Sequence, residues 1–251
     1  MQNSYDVIIV GSGAGGLIAG AFLSQSGYKV LILEQHTIPG GYLHGFKRKG
    51  FFFDSAVYSL SGCGPNGYIY YLLKKLNLLD NFDFIEYSSI YKAKLPFGDY
   101  TLPAGYDNFK NYLIEQFANE KENIESMMAE MLHLYEVIEF EKFGKPLDQK
   151  EFFNVIQKWG KKSYKEFIDT YINDTNLRTL LYSLWLFCAL PEDKASSLYG
   201  VLMLTIHIVE SSFYIKGGCD NLAKILANYI KNNKGDIKFS KTVNEFTTDN
   251  G

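Results

Sequence analysis

Tyr5-Asp-Val-Ile-Ile-Val10, then Gly11-Ser-Gly-Ala-Gly-Gly16, then Leu17-Ile-Ala-Gly-Ala-Phe-Leu23 and finally Lys29-Val-Leu-Ile-Leu-Glu34 form the stretch that decides the fold. An apolar run rich in Val and Ile reads as a buried strand, and the apolar residues at 17, 18, 21, 22 and 23 fall at helical spacing. Gly27 is a helix stop, and the second apolar run ends on an acid. The order is strand, glycine loop, helix, strand, complete within 30 residues.

Gly11, Gly13 and Gly16 satisfy the pattern G-x-G-x-x-G. The first glycine permits the tight turn, the second lets the backbone approach a pyrophosphate, and the third allows helix and strand to pack closely. Amides at the helix start then face the phosphate charge, helped by the helix dipole. Ser12, Ala14 and Gly15 complete this cradle. Glu34 lies 18 residues after Gly16, where a carboxylate accepts from ribose hydroxyls. Such hydrogen bonds favour an unphosphorylated ribose over one carrying a 2′-phosphate, so FAD or NAD fits better than NADP. Read blandly, the glycines are a turn and Glu34 a solvated strand end; strand, helix and spacing together weigh against that.

Working outward, residues 37–67 are rich in glycine and carry Phe51-Phe-Phe53 and Val57-Tyr58, a loop region with short strands. A helical pattern covers 68–79, and 82–102 alternates about Pro96-Phe-Gly-Asp99 as a hairpin does. Helices are expected over about 107–140, 151–167, 176–190, 195–209 and 221–231, with 236–246 alternating as a strand pair. The order predicts a cofactor domain in two parts, 1–81 and 213–251, interrupted by a mainly helical substrate domain with a small antiparallel sheet at 82–212. Thr247-Thr-Asp-Asn-Gly251 has turn composition and invites a further strand, so the C-terminal part of the cofactor domain is expected to be missing.

A 251-residue chain with 47% hydrophobic and 21% charged side chains has the composition of a globular protein, not of a disordered one. A net charge of −3, with the basic residues scattered, gives no footprint for nucleic acid, and no such partner is expected. Cys63, Cys188 and Cys219 lack metal-ligand spacing and read as reduced, buried thiols of a cytoplasmic protein. His36, His44, His133 and His207 show no metal-ligand spacing either, so no metal is expected; His207 reads as a hydrogen-bonded core residue. The apolar stretches at 180–190 and 198–209 are shorter than the roughly 18 residues of a membrane span.

Beyond Glu34 comes Gln35-His-Thr-Ile-Pro-Gly40-Gly41, and here the sequence resembles the FAD-dependent superfamily of amine oxidases and carotenoid desaturases. The resemblance narrows toward phytoene desaturases, carotenoid isomerases and retinol saturases on Leu33-Glu-Gln-His36, Gly40-Gly41 with His44 and Phe46, Leu102-Pro-Ala-Gly105 with Phe109, and Tyr214–Leu222 with Gly217-Gly218. It implies an α/β, Rossmann-like FAD domain of the glutathione-reductase and amine-oxidase type. It implies FAD contacts at Gly11–Gly16, Glu34, Gln35, Gly40, Gly41 and His44, and an adenine-facing backbone at Val243, which also reads as an ordinary strand residue. The chain departs from the family at Tyr42, where an arginine is common, and at Ala56 in Phe53-Asp-Ser-Ala56.

The implied reaction is redox, or redox-assisted isomerisation, at the double bonds of a lipophilic isoprenoid or polyene. The aromatic, apolar helices carrying Trp185, Phe187, Tyr199 and Met203 read as core or as a substrate tunnel with a peripheral membrane contact. A flavin amine oxidase, and an inactive fragment that binds a dinucleotide, are the competing readings. No catalytic residue and no oligomeric state follow from the sequence.

Overall fold

A computed structural model describes residues 4–65, 67–139, 146–184 and 189–248. In chain order the elements are β1 (Val7–Val10), α1 (Ala14–Gln25), β2 (Val30–Leu33), β3 (Gly45–Arg48), β4 (Phe51–Asp54), β5 (Leu60–Ser61), α2 (Tyr68–Lys75), β6 (Phe84–Glu86), β7 (Ser89–Leu95) and β8 (Gly98–Pro103). They continue with α3 (Tyr106–Gln116), α4 (Lys121–Ile138), α5 (Gln149–Trp159), α6 (Tyr164–Tyr171), α7 (Thr175–Tyr182), α8 (Ser197–Val209), β9 (Ser212–Ile215), α9 (Asp220–Asn232) and β10 (Asp236–Lys238). These fall into two compact units. The first takes in the chain up to Leu60, Tyr70–Ile85 and the chain from Phe213 onward; the second takes in Ser61–Ile69 and Glu86–Ser212.

The first unit is built on a parallel sheet in the order β1-β2-β10, with Val7 opposite Val30 and Asp236 opposite Leu31. Strand β2 is central, so Val30, Leu31 and Ile32 are buried, whereas Ile8 and Val10 on the outer strand are half exposed. Helix α1 lies close on this sheet because Gly20 has no side chain: a Cβ there would come within 2.9 Å of Ile32 and 3.2 Å of Ile230. Leu222, Leu226 and Ile230 recur along one face of α9 and are buried. The β3–β4 hairpin pairs Phe46 with Phe53, their rings 5.3 Å apart. Its turn, Lys49-Gly50, has both residues at positive φ (49° and 84°), the handedness a two-residue hairpin turn requires.

The second unit holds the β7–β8 hairpin and helices α3 to α8 about an aromatic and methionine-rich core that includes Phe109, Met127, Met131, Trp159 and Phe167. The expected helix over 107–140 is two helices: Phe117 leaves helical geometry (φ −134°, ψ 63°), and the buried Glu120 turns its carboxylate onto the amides of Asn173 and Asp174. Likewise 151–167 divides at Gly160, after which Ser163 and Glu166 form a reciprocal cap that starts α6.

Leu180, Leu181, Leu184, Val201, Leu204 and Ile208 pack in this core, so the apolar stripes serve packing. Trp185, Phe187 and Cys188 lie outside the described residues. The strand pair expected over 236–246 is corrected to one strand, β10: Ser240 adopts φ 53°, and the amides of Ser240 and Lys241 turn back to the carbonyls of His36 and Glu34. Among the described residues no helix is long and apolar enough to cross a membrane.

Candidate dinucleotide site

The site lies in the first unit, where β1 ends. Gly11 turns with φ 94° while its amide stays on the Leu33 carbonyl at 2.8 Å, so the chain reverses without leaving the sheet. A Cβ on Gly16 would stand 2.2 Å from the Gly11 carbonyl oxygen, which is why the third glycine of the pattern is needed for packing. Gly13 and Gly15 are different: a Cβ on either would meet nothing within 4 Å. Their free faces border open space, not protein. Gly13 is the N-cap of α1 with no side chain to cap it, and the first turn carries no acid. A helix start leaves amides without intrahelical acceptors, and here they front a space with the partial positive charge of the dipole. These residues fit a diphosphate.

Glu34 is buried at the end of β2. Its Oε2 accepts from both the amide and the hydroxyl of the fully buried Ser12, each at 2.7 Å, and its Oε1 accepts from the His36 amide at 2.8 Å. Burial works to raise this carboxyl, yet the hydrogen bonds from His36 and Ser12 and the nearby His36 ring outweigh it and hold the group below its ordinary value. The acid is therefore ionised at neutral pH and fixed against the glycine loop. Gln35 beside it is exposed.

The second glycine pair lies on the first. The Gly40 amide donates to the Ser12 carbonyl at 2.8 Å, Gly40 bridges Gly13, and a Cβ on Gly41 would stand 3.2 Å from the Gly13 Cα. Gly40 and Gly41 have φ of 124° and 55°, a region that favours glycine. Gly11–Gly16, Glu34, Gly40 and Gly41 are thus brought together. His44 follows the turn Gly41–Leu43, with Nδ1 2.5 Å from the Gly41 carbonyl and Nε2 3.0 Å from the Ser55 hydroxyl. Val243 stands outside any strand, half buried in the segment after β10.

Sequence reading missed a second layer. Asp54 accepts from the Tyr214 hydroxyl at 2.5 Å and the Cys219 amide at 2.9 Å, tying β4 to the β9–α9 connection. Burial, with the Asp54 charge next, pushes the Cys219 thiol up to about 11. The other histidines are accounted for: His133 meets Glu151 at 3.0 Å, and His207, its pKa lowered by burial, meets the Met203 carbonyl at 2.7 Å. Among the described residues no group of three or more His, Cys, Asp or Glu could hold a metal ion.

The fold and this site define a Rossmann-like dinucleotide-binding protein, and residues 9–76 match the family profile described as NAD(P)-binding Rossmann-like domain. Among solved structures, putrescine oxidase bound to putrescine covers 94% of this chain and 51% of its own at 17% identity, with a TM-score of 0.65. A Methanosarcina mazei oxidoreductase covers 93% and 51% at 18% identity and a TM-score of 0.63. At these identities the likeness is one of fold.

Among named proteins, a Danio rerio "Inactive all-trans-retinol 13,14-reductase" is 25% identical over 94% of this chain and 41% of its own length. A chloroplastic prolycopene isomerase from an Oncidium hybrid cultivar is 32% identical over 52% of this chain and 23% of its own. A Methylomonas 4,4'-diapophytoene desaturase is 24% identical over 100% of this chain and 50% of its own. The chain is thus similar to carotenoid- and retinol-converting proteins, and it spans half or less of their length.

Proposed function

We propose that the chain carries the FAD-binding part and a substrate-binding part of an oxidoreductase, or redox-assisted isomerase, acting on carbon–carbon double bonds of a lipophilic isoprenoid such as a carotenoid or retinoid. Residues 1–81 and 213–251 would form the cofactor domain and 82–212 the substrate domain. The observation that carries the reading is the buried Glu34 carboxylate, locked to Ser12 beside two glycines whose faces border open space.

Amides at Ala14, Gly15 and Gly16 would hold the diphosphate, Glu34 the ribose, and Gly40 and Gly41 would let the backbone pass close to the remainder of the cofactor, with Gln35, His44 and Val243 at its margins. Bound flavin supplies the two-electron chemistry; the chain's own residues bind, orient and exclude water. The names of the relatives support a double-bond substrate. A peripheral membrane contact would let such a substrate load from a bilayer.

The test is direct titration of the purified chain with FAD, NAD and NADP, followed by flavin absorbance and fluorescence, then a polyene panel under aerobic and reduced conditions. Saturable FAD binding with a redox change on polyene addition is the expected result. Binding of no dinucleotide, or flavin that neither changes redox state nor supports isomerisation, would defeat the reading. A second reading, a dinucleotide binder without turnover, is favoured by the Danio rerio relative, which covers most of the chain and is named inactive.

A further inference from the structure

We propose that Ser55 and His44 form a proton relay beside the dinucleotide cradle, a role that rests on the double-bond redox reading. The geometry fixes the direction of the hydrogen bonds. A carbonyl oxygen only accepts, so the 2.5 Å contact between His44 Nδ1 and the Gly41 carbonyl puts a proton on Nδ1. The neutral ring then has its lone pair on Nε2, and the Ser55 hydroxyl, 3.0 Å away, donates to it. The Ser55 amide also donates to the His44 carbonyl at 3.1 Å, which pins the two residues across the hairpin end.

Surroundings leave this pair available. The His36 ring, 5.4 Å from that of His44, is the other titratable ring facing it. Asp54, the chain neighbour of Ser55, has both oxygens engaged by Tyr214 and Cys219. Ser55 is exposed and His44 half buried, so one end of the pair can meet a reactant while the other is supported. Gly41, which orients His44, lies against Gly13 of the glycine loop, so the relay is carried by the segment that closes the cradle.

Desaturation of a carbon–carbon unit removes two hydrogens. One leaves as a hydride, with two electrons, to the oxidised dinucleotide. The other leaves as a proton: it bonds to Ser55 Oγ as the serine's own proton passes to His44 Nε2, the electrons of the broken C–H bond form the new double bond, and His44 returns its proton to water. Saturation runs the same path in reverse, with the reduced dinucleotide as hydride donor.

Two measurements separate the relay from the reading beneath it. Nitrogen-15 spectra of His44 in the full chain without cofactor should show the Nδ1–H tautomer, with an Nε2 resonance that moves in Ser55→Ala and returns in Ser55→Thr. An Nε2–H tautomer, or indifference to Ser55→Ala, would overturn the relay whatever the chain turns over. With FAD and a polyene, Ser55→Ala and His44→Gln should lower kcat on the order of 10²-fold, Ser55→Ala leaving KM and FAD affinity within about twofold, and Ser55→Thr should recover most of the rate. A Ser55→Ala variant that instead loses FAD affinity would make the pair a structural clasp and overturn the relay. The expected tautomer and Ser55 coupling in a chain that transforms no polyene would uphold the proton pair and remove the double-bond reading.

Discussion

Ser12 gives both of its donors, amide and hydroxyl, to a single oxygen of Glu34, 22 residues away. The loop after β1 and the acid after β2 are thereby one unit before any ligand arrives. Replacing Glu34 by Gln removes the charge and leaves only one accepting oxygen, so an NH2 faces either Ser12 or the His36 amide, and hydrogen bonds to charged groups contribute about 1.5–3 kcal/mol. We expect E34Q to lower stability by roughly that amount and to weaken FAD binding at least about tenfold, read by urea unfolding and flavin titration. An unchanged flavin affinity in a folded E34Q would remove Glu34 from the site.

The pH dependence of stability follows from the same pair. The folded Glu34 carboxyl lies below its ordinary value, so the carboxylate contributes stability at every pH above the unfolded value of about 4.3. That contribution is lost as the pH falls through the folded value. Ser12→Ala removes one of the donors responsible, at a cost of about 1–2 kcal/mol at neutral pH, and should flatten the dependence. Urea midpoints at pH 7 and in acid, for wild type and S12A, check both; parallel profiles would show that the hydroxyl does not hold the acid.

The glycines of the loop separate by what a methyl group would strike. At Gly16 it would meet the Gly11 carbonyl oxygen at 2.2 Å, so Gly16→Ala forces helix from strand and should destabilise by about 1–3 kcal/mol or more. At Gly15 it would meet nothing, and alanine in a helix is favoured over glycine by roughly 0.5–1 kcal/mol. Gly15→Ala should therefore stabilise the free protein while weakening FAD binding, because its methyl occupies the space assigned to the phosphates. Thermal denaturation with and without flavin distinguishes the pair, and tight FAD binding by G15A would place the ligand elsewhere.

Why this much was legible and no more has physical reasons. Gly11 and Gly16 are dictated by local backbone geometry, and Ser12 and Glu34 meet at the ends of two neighbouring strands, so the spaced pattern in the sequence translates directly into structure. The break at Phe117 is not local: it follows from Glu120 reaching the amides of Asn173 and Asp174, more than 50 residues on. Gly160 and the Ser163 cap, by contrast, were readable as a stop and start and were overrun by the apolar spacing about them. The strand pair over 236–246 failed because Ser240 and Lys241 bond back to the β2 end, a tertiary event that alternation cannot report. His44 and Ser55 meet only because the β3–β4 register sets them opposite, which required the turn at Lys49-Gly50 to be known first.

The contact of Asp54 with Tyr214 and Cys219 yields the last prediction. Asp54→Ala leaves the Cys219 amide and the Tyr214 hydroxyl without their shared acceptor, at a cost of about 1–3 kcal/mol for each donor left buried. Cys219 is a built-in reporter of that loss. Its thiol is fully buried and pushed up to about 11, first by burial and then by the Asp54 charge, so the native protein should resist alkylation at neutral pH. Removing the charge lowers the thiol's pKa, and removing the tie lets the β9–α9 connection open, so both effects speed the reaction in D54A. Asp54→Asn divides them: it removes the charge but keeps a carbonyl acceptor for one donor, and its rate should fall between the two. Timed iodoacetamide labelling with peptide mass analysis reads Cys219 alone; equal rates in all three proteins would mean that Asp54 neither anchors that connection nor influences its thiol.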